Sequence, residues 1–393
     1  MLRTSDVHGS PWSVSRVRSP VGTGSCAQHS RVEAADRFGD GGDQICDGGL
    51  IGVASVFSDD IAIDLGTVNT LVHVVGRGVI LDEPSAVAVK TVGGMREVLA
   101  VGLKARAMLS RTPGTIELIR PLRDGVIADF IATEAMLRQF IKRAKSKFGF
   151  RRPRILICVP ASATPVERRA VYETAVSSGS RQVFIVEEPV AAAIGAGMPV
   201  DEPRGSMVVD IGGGTTDIAV LSLGGVLQAR SLRCAGNAFD EAIIRFVRRR
   251  HQLLIGEANA ERIKVEAGTA IVGGDSRAVD IHIRGRDLRQ GRPKSIVLTP
   301  SNIAEALDGP IDYITDFIQR ALEDLPPDIA ADICETGVCL TGGGALIDGL
   351  DTELARRVGV PFTVPDRPMH CVISGSATIL EELDERQHLL LTP

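Results

Sequence analysis

The same short pattern is written into both halves of this chain. Ile61-Ala-Ile-Asp64-Leu-Gly66-Thr67-Val68-Asn69-Thr70 is echoed by Val208-Val-Asp210-Ile-Gly212-Gly213-Gly214-Thr215-Thr216-Asp217. In each copy a strand-like apolar run ends on an aspartate, a Gly-containing turn follows, and a Thr stands six residues past the Asp. Glycine in such a turn lets backbone N–H groups close on an anion, because no Cβ stands in the way. An Asp at the edge of each turn can hold a hydrated divalent cation between the two loops. Two such loops facing each other would clamp the phosphates of one nucleotide. The repeat therefore predicts a nucleotide-handling protein built by duplication.

At 393 residues the chain exceeds one ordinary domain, so two domains are expected. Apolar residues make up 44% of it, enough for real cores. A net charge of −5 and only 4% aromatics leave no footprint for nucleic acid. Cys334 and Cys339 lack a second Cys pair or a nearby His pair, so buried reduced thiols in a cytosolic protein are expected rather than zinc ligands. No run of about 18 apolar residues occurs, so no bilayer-spanning helix is expected.

Residues 1–59 differ from the rest. Residues 1–49 are rich in Ser, Gly, Arg and Asp without helical or strand period, and are expected to be a disordered N-terminal extension. No apolar core of a signal peptide follows the early charges. A misassigned start, with the protein beginning near Leu50 or Val53, is the competing expectation. The apolar stretch 50–57 reads either as a short membrane-touching segment or as a lead-in to the first strand.

Beyond that strand, apolar runs at 71–75 and 79–81 flank Gly76-Arg-Gly78, a hairpin signal. Met136, Leu137, Phe140, Ile141 and Ala144 recur at helical spacing. A buried strand at 155–159 precedes Thr164-Pro165-Val166-Glu167, a capping box with Pro at the first helical position. A strand at 183–186 and a helix of small residues at 189–196 follow. From Met207 the order starts again, with strands at 218–221 and 226–231 around Gly224-Gly225 and a late strand at 338–340. Antiparallel strands followed by α/β crossovers, twice, predict a duplicated α/β sheet architecture. The domains would run 60–204 and 205–385, each carrying a small subdomain, near 86–125 and 238–298.

Four further segments carry candidate chemistry. Leu340-Thr341-Gly342-Gly343-Gly344-Ala345-Leu346 could let backbone lie flat against an adenine or ribose, or could be only a tight strand-to-helix turn. Glu188, in Glu187-Glu188-Pro189, could orient a water for in-line attack on a γ-phosphate; a helix N-terminal acid favoured by the macrodipole is the rival. Glu261 and Lys264 share one helical face and could contact a nucleoside, although an exposed ion pair is the commoner meaning of that spacing. Lys147-Phe148-Gly149-Phe150-Arg151-Arg152-Pro153-Arg154 suits insertion into an anionic membrane surface, or else a core-facing Phe pair beside solvated arginines. There is no G-x-x-x-x-G-K-[ST], so this is not a P-loop NTPase.

In this order the motifs resemble the actin/Hsp70/sugar-kinase superfamily, and within it the chain is closely similar to the MreB/Mbl family of bacterial actin homologues. The resemblance rests on Ile63-Asp-Leu-Gly-Thr-Val-Asn-Thr-Leu71, Arg111-Thr-Pro-Gly114, Asp124-Gly-Val-Ile-Ala-Asp129, Ile185-Val-Glu-Glu-Pro-Val-Ala-Ala-Ala-Ile-Gly195 and Met207-Val-Val-Asp-Ile-Gly-Gly-Gly-Thr-Thr216. Ala260-Glu-Arg-Ile-Lys264 and Leu340-Thr-Gly-Gly-Gly-Ala-Leu346 extend it, from about Asp60 to Leu383. It implies an actin-like (ribonuclease H-like) ATPase fold, with two domains in four subdomains around a central cleft for ATP and Mg²⁺. It further implies a homopolymer in the cytoplasm, peripheral to the inner face of the cell membrane, working with cell-wall elongation membrane proteins to direct cell shape.

By position, Asp64 and Asp210 would order the Mg²⁺ water shell. Gly66, Thr67, Val68 and Asn69, with Gly212, Gly213, Gly214, Thr215 and Thr216, would cradle phosphates. Glu188 would orient the attacking water and Thr215 would supply a catalytic hydroxyl. Glu261, Arg262, Ile263 and Lys264, with Gly342, Gly343, Gly344 and Ala345, would contact the adenosine. Phe148 and Phe150 fall at the family's membrane loop. Three departures stand out: Asp217 for a Glu, Asn237 for an Asp, and Ser376 and Ala377 in a segment where the family has more Gly. They leave ATP binding expected and open a non-hydrolysing structural paralogue as the alternative. A monomeric Hsp70-type ATPase is the other; a chaperone of that type would need a β-rich substrate-binding domain after the ATPase.

Overall fold

The computed structural model describes residues 60–92, 95–108, 116–123, 125–145, 152–271 and 276–392. The readings made for residues 1–59 and for Phe148 and Phe150 lie outside them.

Ile61–Leu65 is apolar on both faces, and all but Asp64 of its residues are buried. Such a strand belongs in the middle of a sheet covered on both sides. It lies third of five, in the spatial order Gln182–Glu187, Arg154–Val159, Ile61–Leu65, Asn69–Val74, Gly78–Pro84. Its neighbour on one side, Asn69–Val74, is antiparallel, with Asp64 opposite Leu71; on the other, Arg154–Val159 is parallel. The second sheet repeats this plan around Ser206–Ile211. Thr216–Ser222 and Gly225–Leu232 continue antiparallel to one side, and Val338–Thr341 and Phe362–Thr363 run parallel on the other. The repeat in sequence is thus a repeat in topology, and it puts each Asp-Gly loop at the end of a central strand.

Two smaller three-stranded sheets stand apart. One is built from Val87–Val92, Met95–Val101 and Ile116–Ile119, the other from Leu253–Leu254, Ile281–Asp287 and Pro293–Leu298. Local signals set the helix starts. Thr164 and Glu167 form the expected capping box of Pro165–Ser177, and the Asp129 carboxylate accepts from Ala132 N–H at 3.0 Å to begin Phe130–Ala144.

One apolar core fills each half, and a third lies between the sheets. That third core contains the crossing of Glu188–Gly195 with Cys371–Glu381. Small residues set the approach: a Cβ on Gly195 would stand 1.9 Å from Cys371 O, and one on Gly375 1.8 Å from Ala191 O. Ser376 is buried in this crossing, with its Oγ 2.8 Å from Cys158 Sγ. Four cysteines among the described residues are buried, but Cys334 is exposed, at odds with the expectation of uniformly buried thiols; it sits on the outer face of the helix Pro327–Thr336.

Candidate functional site

The two loops meet at a cavity of about 370 Å³. Each is fixed from behind by its own half. Ser85 Oγ donates to Gly66 O at 2.6 Å and Ser85 N–H to Val68 O at 2.8 Å, while Thr70 Oγ1 lies 2.8 Å from Ser85 Oγ. In the second loop, Gly212 N–H donates to Thr215 O at 2.9 Å. The loop is then tied to the start of the helix Gly236–His251, where Gly236 and Asn237 N–H groups donate to Gly212 O and Gly213 O. At the departure Asn237, it is therefore the backbone that holds the loop. The third Gly run turns sharply at Gly342, whose φ of +81° glycine alone accepts without strain. A Cβ there would also come within 2.4 Å of Ile211 O.

Carboxylates gather at the strand ends. Asp64, Glu188 and Asp210 line the cavity, and Asp217 is buried nearby. Burial, then the charges of Asp210 and Asp82, pushes Asp64 up to about 7. Burial likewise raises Asp210 to about 7, against the Thr341 hydroxyl, which donates to its Oδ1 at 2.7 Å. Glu188, at the first turn of its helix, is raised well above the ordinary carboxylate range by burial and then by Asp217, Asp64 and Asp210. Asp217 Oδ1 accepts from Ala161 N–H at 3.1 Å, and burial raises its carboxyl against hydrogen bonds from the Thr215 and Ser231 hydroxyls. Among the described residues no three His, Cys, Asp or Glu side chains converge closely enough to ligate an ion directly.

The cavity also joins charge to apolar surface. Glu261 lines it and is paired with Arg106 at 2.7 Å. Lys264 lines it too, its Nζ donating to Gly236 O and Asp240 Oδ2, both at 2.9 Å. Phe239, Val265, Leu346, Ile347 and Met369 line the cavity as well, apolar residues that no loop motif marks.

The cavity brings together most of the residues singled out from sequence: Asp64, Glu188, Asp210 and Thr215, all four residues of the first loop, Gly212, Gly213 and Gly214, and Gly342, Gly343 and Gly344. Four others have side chains engaged elsewhere. Thr216 is fully buried and donates to Cys234 O at 2.7 Å. Arg262 pairs with Glu266 and donates to His282 O, and Ile263 and Ala345 belong to the core of the second half. Ser376 and Ala377 do not line the cavity either; of their segment only Val372 does.

The family model described as MreB/Mbl protein matches residues 58–388. The chain belongs to the MreB/Mbl family. It is 52% identical over 332 residues to the cell shape-determining protein MreB of Escherichia coli strain K12, covering 84% of this chain and 95% of that one. MreB5 of Spiroplasma citri, solved with AMPPNP bound, superposes with a TM-score of 0.78 at 34% identity, over 84% of this chain and 97% of that one. MamK, solved as a double helical filament, shares the fold at a TM-score of 0.69 and 21% identity, over 82% of this chain and 99% of that one. The duplicated sheets are thus the actin-like fold of the MreB/Mbl family. Among its described residues no helix is long and apolar enough to cross a membrane.

Proposed function

We propose that this chain binds and hydrolyses ATP and polymerises into filaments on the inner face of the cell membrane, directing cell shape and cell-wall synthesis. One observation carries the nucleotide reading: two related Gly loops touch beside a group of buried carboxylates in a cavity that also has apolar lining. The domains 60–204 and 205–385 would each contribute one loop. The phosphate end would take N–H groups of 66–69 and 212–215, with the Thr67 and Thr215 hydroxyls. The adenosine would lie between Glu261, Lys264, Phe239 and the Gly342 turn.

The residues present fit Mg²⁺. Both carboxyls line the cavity, and burial and then the charge of Asp210 raise Asp64 when no cation offsets them; facing carboxylates are the ligand type that holds such an ion through its water shell. Bound there, Mg²⁺ would offset phosphate charge. Glu188 would orient the attacking water and take its proton, a task that requires the ionised carboxylate. Thr215 would hold the departing phosphoryl oxygens. Thr341 keeps Asp210 aimed at the cavity. MreB5, bound to AMPPNP or to ADP in its two structures, supports the nucleotide, and the cell shape-determining relatives support the cellular role.

A non-hydrolysing filament protein is the second reading. One observation favours it: burial and then the charge of Asp217 raise the Glu188 carboxyl, which must be ionised to take a proton. Sedimentation of the full chain with ATP, ADP or no nucleotide, with and without anionic liposomes, tests the proposal. Nucleotide-dependent pelleting that liposomes increase is the expected result. A folded protein that binds ATP and stays in the supernatant under every condition would point instead to a monomeric ATPase.

A further inference from the structure

One small surface is far more basic than the chain's net charge of −5 suggests. Residues 245–256 and 281–298 hold nine Lys and Arg against a single acid, Asp287. The fold joins the two segments. Leu253–Leu254 pairs antiparallel with Ile281–Asp287, Leu288 N–H donates to Gln252 O at 2.9 Å, and Lys294 Nζ reaches His251 O at 3.5 Å.

Strand alternation puts His282, Arg284 and Arg286 on the face opposite Ile281 and Ile283, and Lys294, opposite Gly285, on the other. Ile281 and Ile283 are buried, while His282, Arg284 and Arg286 are exposed. Arg289 and Arg292 in and after the turn are exposed, as are Arg248, Arg249 and Arg250 in the last turn of Gly236–His251. Among the described residues none of these seven arginines forms an ion pair. The one acid is used by the turn itself: Asp287 Oδ1 accepts from Arg289 and Gln290 N–H groups at 2.7 and 3.0 Å, and Oδ2 pairs with Lys294 at 3.3 Å. Complementing a helix dipole explains arginines at the end of Gly236–His251. It does not explain four more on the adjoining hairpin.

Leu288 lies in that turn between Arg286 and Arg289 and is 41% exposed. Val297, opposite His282 on the neighbouring strand, is 42% exposed. A turn held by its own hydrogen bonds, offering an exposed apolar side chain flanked in sequence by exposed arginines, matches the headgroup zone of an anionic bilayer. Phosphates meet the arginines while the leucine enters the acyl boundary. No Phe, Tyr or Trp occurs in 281–298, so the large-ring stacking platform of a single-stranded nucleic acid site is missing.

We propose that the hairpin 281–298 and the end of the helix Gly236–His251 form a docking surface for anionic phospholipid. This contact rests neither on ATP hydrolysis nor on the segment of Phe148 and Phe150.

Flotation of the full chain with phosphatidylcholine vesicles, or with vesicles enriched in phosphatidylglycerol, tests it. Four proteins are compared: wild type, the triple variant Arg284→Glu/Arg286→Glu/Arg289→Glu, the milder turn variant Arg289→Gln/Arg292→Gln, and Phe148→Ala/Phe150→Ala. Wild type should float with the anionic vesicles and lose binding as salt is raised. The triple variant should bind at least about tenfold more weakly, the turn variant several-fold more weakly, and the Phe variant should keep its salt-sensitive component. Folding is checked by thermal melting; if the triple variant melts early, the turn variant decides. Flotation unchanged in both arginine variants overturns the proposal. Unchanged flotation with lost self-sedimentation would assign the face to a subunit contact. Tighter binding to a DNA oligonucleotide than to vesicles of equal phosphate content would assign it to nucleic acid.

Discussion

A Cβ built on Gly213 would stand 2.3 Å from Val68 Cγ2, so the middle glycine of the second loop is what allows the two loops to touch. Val68 is β-branched and has few rotamers with which to yield. The two halves of the site are therefore in register only while position 213 has no side chain.

Gly213→Ala should accordingly part the loops. Overpacking of this kind costs about 1–3 kcal/mol, which predicts roughly tenfold or greater loss of ATP affinity in equilibrium titration with a fluorescent analogue. Val68→Ala combined with Gly213→Ala should recover part of that loss. Equal affinities in all of these proteins would remove loop contact from the account.

Gly375→Ala tests the helix crossing beneath the site. Alanine is the better helix former by about 1 kcal/mol, yet its Cβ would stand 1.8 Å from Ala191 O, a backbone atom. The clash should win, lowering stability by a net of about 1–2 kcal/mol in urea unfolding. A stabilised variant would mean that the two helices separate freely.

The carboxylates predict a pH dependence. Asp64 and Asp210 titrate near 7 in the folded protein against 3.8 for the ordinary group. The folded state then binds more protons than the unfolded one between those values. The stabilisation is complete below about 4 and is lost as pH rises through about 7. His73 and His251, both lowered mainly by burial, oppose this trend around and below 6.5. The carboxylate part is therefore read as the difference between wild type and Asp210→Asn, without nucleotide. Wild type should lose more stability than the variant between pH 5 and 8, and saturating Mg²⁺ and ATP should flatten its slope. Parallel pH profiles would contradict the raised carboxylates.

Two ion pairs reach from the first half to the helix Glu257–Ala267. Arg106 pairs with Glu261 at 2.7 Å and Arg120 with Glu257 at 3.1 Å, all four partly or well exposed. Exposed pairs are worth about 0–1 kcal/mol, so Arg106→Ala should leave the melting temperature nearly unchanged. Glu261 lines the cavity, however, and nucleotide release should quicken about threefold for a loss within that range. Stopped-flow displacement of a fluorescent nucleotide measures it, and an unchanged release rate would detach Arg106 from the site.

Which parts of this site could be read beforehand follows from how each residue reaches it. The loops were legible because glycines, hydroxyls and the Asp all lie within ten residues of one another, and the strand before each is apolar throughout. Contiguity also misled. Thr215 lines the cavity but Thr216, one step into a strand, turns to the opposite face and bonds Cys234 O. On the helix Glu257–Ala267, Glu261, Lys264 and Val265 share a face at spacings of three and four, which leaves Arg262 and Ile263 pointing elsewhere. Phe239, Ile347 and Met369 escaped notice for another reason. Each is an apolar residue in a different segment, and only the fold tells a cavity wall from a core. The basic hairpin was hidden by averaging, since acids elsewhere in the chain outweigh its charge.

Single-turnover phosphate release from polymer formed with ATP, comparing wild type with Glu188→Gln, measures whether the Glu188 carboxylate drives hydrolysis. Glutamine keeps the shape but cannot take a proton from the attacking water. ATP binding should stay within about twofold while hydrolysis falls by about a hundredfold or more. Hydrolysis at the wild-type rate in Glu188→Gln, or no hydrolysis in wild-type polymer, would contradict an ATPase built around Glu188.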